Sequence, residues 1–167
     1  MAKDRGAPQE LPSWSRTVEW SLLAGVVIVL VLVFVRQVHV LQGQAELSAI
    51  KTTLGALRTA LVIEHLRIKA GGASQSAMPM QHNPFELLQR HPVNYRGEMG
   101  LVEAAAAPAG SWLFDPVCAC VGYVPLYAEW FDSPGGAMVA WYQVSGAPGP
   151  LQLTAKEAYV WQNEVMN

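Results

Sequence analysis

Sixteen consecutive residues without a charge, Trp20 to Val35 (WSLLAGVVIVLVLVFV), constrain this chain more than any other feature. Glu19 and Arg36 bracket the run. A helix that crosses hydrocarbon needs roughly 20 apolar residues. Arg36 can snorkel to the interface, and Val38, Val40 and Leu41 extend the apolar surface, so the predicted membrane segment is 20–41. Trp14 and Trp20 suit the interfacial belt at its N-terminal end. A secretory signal is one competing reading, but it needs a small-x-small cleavage site, and here Arg36-Gln-Val-His follows. A buried soluble helix is another, and it would need protein around Val and Ile on every face. The expectation is therefore a retained anchor behind an N-terminal tail, residues 1–19.

Composition agrees. Hydrophobic residues make up 51% of the chain and charged residues 14%, against about 25% charged in an ordinary soluble domain. Charge is also unevenly placed. From Gly72 onward there are three basic residues, Arg90, Arg96 and Lys156, and eight acidic ones. That balance argues against nucleic acid as a partner, because phosphate neutralisation needs clustered cations. Lys3, Arg5 and Arg16 on the near flank outweigh Arg36 and Lys51 on the far one, which predicts a cytoplasmic N-terminus.

The helical pattern does not stop at the membrane. Apolar residues recur at Val40, Leu47, Ile50, Leu54, Leu57, Leu61 and Ile68, a heptad spacing with gaps at Gly43 and Glu64. Such a stripe needs a covering surface. Gln44, Lys51, Thr52, Arg58 and Arg67 are predicted to face water. One helix from near Arg16 to about Lys69 is expected, with 42–70 as its amphipathic extension and Gly71-Gly72 as its stop. The stripe has two candidate covers: the chain's own distal domain, or another subunit.

Residues 71–167 read as a small α+β domain. Gly71 to Met80 is a connector rich in small residues. Asn83-Pro84-Phe85-Glu86 has a capping residue, Pro at the first helical position and Glu three after the cap, predicting a short helix to Arg90 or His91 before Pro92. Short β-like runs follow at Ser111–Asp115, Val121–Ala128, Ala137–Val144, Leu151–Thr154 and Ala158–Trp161. Asp132-Ser-Pro-Gly-Gly136 and Gly146–Pro150 supply turns between them, so a small antiparallel sheet is predicted. Pro125 marks an edge or a bulge.

Candidate chemistry is sparse. Cys118-Ala-Cys120 is the only cysteine pair. On an extended strand its Cα atoms would stand roughly 6.5–7 Å apart, the upper limit for a disulfide, and a turn would bring them closer. A bridge and a pair of free or buried thiols both remain open. His82 and His91 share that half but have no spacing that joins them to the cysteines, so no metal site is expected. Glu64-His65 reads as a solvated helix face, Tyr95–Glu98 as a structural ion pair, and Trp130, Trp141 and Trp161 as core residues. No phosphate loop or nucleophile elbow is present, and neither an enzyme nor a cofactor is expected.

The order of apolar helix, amphipathic extension and small sheet resembles the type IV pilin and pseudopilin architecture. Leu54–Gly72 (LGALRTALVIEHLRIKAGG), Asn83–Glu98 (NPFELLQRHPVNYRGE) and Gly110–Pro116 (GSWLFDP) are similar to pilin-like proteins of type IV pilus, MSHA-type pilus and type II secretion gene sets. The resemblance covers roughly 16–142 and rests on structural motifs. It implies a non-enzymatic inner-membrane component, with a periplasmic domain, that meets other pilin-like subunits and membrane lipid in a homo- or hetero-oligomer. Glu19 then corresponds to the pilin glutamate that pairs with a neighbour's N-terminal amine. The Gly–Phe junction of a prepilin peptidase site is missing, so cleavage is not expected. The interaction residues this implies are Glu19, Leu22, Leu47, Ile50, Leu54 and Leu57. A bitopic sensor with a ligand-binding distal domain and an envelope thiol protein using Cys118 and Cys120 are the competing functions.

Overall fold

The computed structural model describes residues 13–70, 82–146 and 150–166. Lys3, Arg5, the side chain of Trp14, the Gly71-Gly72 stop, the connector to Met80 and most of the Gly146–Pro150 turn lie outside them. The protein is α+β, with one long N-terminal helix, α1 (Ser13–Ala70). A 3-10 turn (Pro84–Leu87), β1 (Tyr95–Glu98), α2 (Leu101–Ala104), β2 (Trp112–Asp115) and β3 (Cys120–Tyr123) follow. A second 3-10 turn (Ala128–Trp130), β4 (Phe131–Asp132), β5 (Ala140–Ser145), β6 (Gln152–Ala155), β7 (Tyr159–Trp161) and β8 (Glu164–Met166) complete the order.

Contacts divide the chain into two units, residues 1–42 and 43–167. In the first, every side chain from Arg16 to Gln37 is exposed, and the most apolar window of the helix has nothing buried. This segment is long and apolar enough to cross a membrane.

The second unit builds a five-stranded sheet in the order β1-β2-β3-β5-β6 and a smaller one, β4-β7-β8. Every pairing is antiparallel except β1 with β2, which run parallel. Period-2 alternation assigns the larger sheet two dry faces. Trp112, Phe114, Val121, Tyr123, Tyr142, Val144 and Leu153 point to one face and meet Leu47, Ile50, Leu54, Leu57 and Leu61 of α1. Leu113, Cys120 and Trp141 point to the other and meet Ala104 of α2 and Val139. Phe85 enters the first core from the 3-10 turn and stacks on Tyr95 at 4.2 Å between ring centres.

Element boundaries moved for identifiable reasons. Asn83 does cap: the Phe85 amide donates to its Oδ1 at 3.0 Å. The helix it starts is a single 3-10 turn that ends at Leu87 rather than Arg90, because Leu88 is already extended and packs beside Leu87 on the same core. The strand expected over 121–128 ends at Tyr123, since Pro125 has no amide and the next two amides bond elsewhere. The strand expected from Ala137 starts at Ala140, because the Ala137 amide donates to Ser133 Oγ at 3.2 Å inside the preceding turn.

Gly43, read above as a gap in the stripe, belongs to it. The residue is buried. A Cβ there would stand 2.8 Å from Trp130 Cδ1 and collide with the Gln162 side chain. Its carbonyl also accepts from Trp161 Nε1 at 3.2 Å. Gly43→Ala is expected to cost about 1–3 kcal/mol through overpacking. Leu57→Ala is expected to cost about 2–5 kcal/mol through the cavity it leaves. Urea titration of the full chain in detergent micelles, followed by tryptophan fluorescence, measures both.

Candidate interaction surfaces

Leu47, Ile50, Leu54 and Leu57 require a correction. The pilin resemblance makes them interaction residues, while their spacing leaves two covers open, another subunit or the chain's own domain. All four are buried, Leu57 completely, under β2, β3, β5 and β6 of the same chain. A leucine that already fills its own core has no surface left for a partner. Glu19 and Leu22 are exposed on the apolar segment, as an interaction role requires.

The opposite face of α1 within the second unit is the open one. Ala45, Ser48, Ala49, Thr52, Gly55 and Thr59 are exposed there, about half a turn from the stripe. Val62, Ile63 and Leu66 continue it and are 46–60% exposed. The hydroxyls of Thr52 and Thr59 donate to the carbonyls of Ser48 and Gly55, both at 2.8 Å, so they are satisfied within the helix. The charged residues of this stretch lie on its flanks. Lys51 pairs with Glu164, Arg67 pairs with Glu64 at 3.4 Å, and Arg58 Nε donates to the Leu153 carbonyl at 3.2 Å. Arg58 was expected to face water; it is instead half-buried against β6. The result is a face of small and apolar residues without a charge, the surface on which a second helix can approach closely.

Glu46 was missed by sequence reasoning. It is 7% exposed and sits beside Leu47 on the buried side of α1. Tyr123 Oη donates to its Oε1 at 2.8 Å, and the amides of Leu126 and Tyr127 donate to Oε1 and Oε2 at 2.6 and 3.1 Å. This carboxylate takes the two amides that would have continued β3. A glutamate beside a heptad leucine was the available signal, and the pattern alone gave no means of knowing that three donors would converge on it.

Cys118 and Cys120 form a disulfide with Cα atoms 5.2 Å apart, inside the usual range of roughly 4.4–6.8 Å. The extended-strand spacing does not apply, because Ala119 has φ 54°, a left-handed conformation that curls the two cysteines together. Trp141 and Trp161 are buried and Trp130 is half-buried. Arg96 and Glu98 do not form an ion pair among the described residues; both are exposed on the outer strand β1. Among the described residues no cluster of three or more His, Cys, Asp or Glu could hold a metal ion.

Burial raises the hydroxyl pKa of Tyr123 above its ordinary value, and the Glu46 carboxylate adds to that. Burial likewise raises Tyr142, Tyr159 and Tyr95. Glu157 is shifted down, because Ser133 Oγ at 2.6 Å and the Gly135 amide at 3.1 Å donate to its carboxylate.

These observations define a class: an α+β protein with one helix long and apolar enough to cross a membrane and one uncharged helix face open above its core. Comparison with known proteins goes no further, since no family model, curated protein or solved structure matches the chain.

Glu46→Ala strands one hydroxyl and two amides and is expected to destabilise the second unit by about 3 kcal/mol, read by the same urea titration. For pH, the raised tyrosines favour the neutral form in the folded state. Their contribution is present below the ordinary tyrosine pKa of about 10 and is lost as pH rises above it. Phenolate absorbance of the folded protein near pH 10.5 is therefore expected to fall well below that of the urea-denatured chain. Glu157 works in the opposite sense. Its contribution is present above the ordinary carboxylate range and is lost as acidification protonates it, so Glu157→Gln is expected to flatten the acid limb of a melting-temperature profile.

Proposed function

We propose that the chain is a non-enzymatic, pilin-like component of the bacterial inner membrane that takes part in assembling a type IV pilus or a related type II secretion apparatus. Its N-terminus is cytoplasmic, its β domain periplasmic, and it works by contact between helices. The observation that carries this reading is the dual character of α1. Residues 16–37 are exposed, and all but Arg16, Glu19 and Arg36 are uncharged, which suits lipid and neighbouring helices. Residues 43–70 are covered on one face by the chain's own sheet and carry a bare, uncharged strip on the other. A helix that only supported its own domain would have a charged outer face.

The Cys118–Cys120 disulfide supports an oxidising compartment for the domain. A sensor with an enclosed aromatic pocket is supported less well. Among the described residues, two hollows of about 770 and 540 Å³ are open grooves lined without aromatic residues.

Single cysteines at Thr52 and Thr59 test the reading by cross-linking in native membranes. They are expected to capture pilus or secretion subunits, whereas a cysteine at the buried Leu54 is expected to capture none. Recovery of uncross-linked protein alone from both exposed positions sinks the proposal. Gly55→Arg is expected to abolish co-purification with those subunits without lowering stability, because nothing lies within 4 Å of its Cβ position and arginine favours a helix interior over glycine by about 0.5–1 kcal/mol.

A further inference from the structure

The larger sheet ends on one side in β6, and no strand among the described residues pairs with that edge. The Lys156 amide donates to the Trp141 carbonyl at 2.9 Å, so Trp141 and Lys156 are a hydrogen-bonded pair. Alternation then makes Gln143 with Thr154 and Ser145 with Gln152 the next such pairs. The amides and carbonyls of Leu153 and Ala155 therefore point away from β5. The geometry at Leu153 agrees, since its carbonyl accepts from Arg58 on the outer side. A carbonyl has two lone pairs, so this contact leaves room for a second donor.

An open groove of about 770 Å³ runs along this edge, with Arg58 and Val62 of α1 as its far wall. Its charge is unusual for the domain. From Gly72 onward only three residues are basic against eight acidic, yet one of the three, Lys156, lines this groove together with Arg58 of α1. The one acidic lining residue, Glu157, stays ionised with its carboxylate held by Ser133 and Gly135, so the lining carries two cations against one anion. Exposed Val62, one helical turn after Arg58, adds an apolar contact.

We propose that the β6 edge binds an extended acidic segment of another protein by strand addition. The segment would bond the outward backbone groups of Leu153 and Ala155 and place carboxylates near Lys156 and Arg58. A second copy of this chain is the poorer occupant, because β6 pairing with β6 would bring Lys156 and Arg58 of both copies together. Its other free edge in the large sheet is β1, where three residues' advance from Tyr95 to Glu98 faces only two from Trp112 to Phe114 and Gly97 has φ 95°. Such a bulge bends the strand and spoils it as a template. This inference concerns a surface separate from the helix face and does not rest on the pilin reading.

The test uses the full chain in detergent micelles and two fluorescent octapeptides, one repeating Val-Val-Glu-Glu, which puts carboxylates on both faces of an added strand, and one repeating Val-Val-Lys-Lys. The acidic peptide is expected to bind at least tenfold tighter by fluorescence anisotropy. Ala155→Pro removes only an outward amide and is expected to weaken that binding at least tenfold; Lys156→Glu is expected to weaken it and to reduce the preference over the lysine peptide. Hydrogen exchange of the 151–156 segment is expected to slow on addition of the acidic peptide, a readout on the unaltered protein that stands even if the proline variant does not fold. Equal binding of the two peptides, wild-type affinity in folded Ala155→Pro, or unchanged exchange each overturns the proposal. So does self-association that Ala155→Pro abolishes in the absence of peptide binding, which assigns the edge to a second copy.

Discussion

Everything in the second unit depends on burying one stripe of α1. Leu47, Ile50, Leu54, Leu57 and Leu61 present a ridge that water would leave costly, and a single small sheet has to cover it. The spacing of the ridge sets the demand on the strands. Trp112, Phe114, Val121, Tyr123, Tyr142, Val144 and Leu153 must all face the helix, so the strands hold a register in which alternate residues do so. A slip of one residue would turn every one of them to the far face. That far face is not free either, because Leu113, Cys120 and Trp141 need α2 and its neighbours as cover.

At the start of the ridge the packing is close and polar at once. Gly43 admits Trp130 and Gln162 against the helix backbone, and Trp161 donates to its carbonyl. One turn later Glu46 gathers a hydroxyl and two amides. A buried carboxylate is unfavourable unless its lone pairs are used, and here three donors use them. The same contacts end β3 and direct the chain past Pro125 toward the smaller sheet. Among the described residues, two buried polar atoms, Trp130 Nε1 and Tyr142 Oη, have no hydrogen-bond partner.

The functional reading follows from what this burial leaves over. A helix has a full circumference, and the sheet consumes one side of it. The charged residues near the boundary are drawn to the domain: Lys51 to Glu164 and Arg58 to Leu153. The outer side is left small and uncharged from Ala45 to Leu66. Contact with another helix at such a face loses little side-chain entropy and requires no charge to be desolvated.

Local signals in the sequence determined the apolar segment, the extent of α1, the Asn83 cap and the approximate place of the strands. Each depends on a run of residues whose period or capping chemistry acts over a few positions. The identity of the buried stripe was also legible, from its heptad spacing. What covers the stripe was not, because the same spacing serves an intramolecular sheet and a second helix equally well. Tertiary structure alone decided that Leu47, Ile50, Leu54 and Leu57 belong to the chain's own core and that the bare face lies opposite. It also decided that Gly43 and Glu46 are fitted parts of the interface and that β1 runs parallel to β2. Each of these requires residues far apart in the chain to meet, and no local pattern encodes which distant group will arrive.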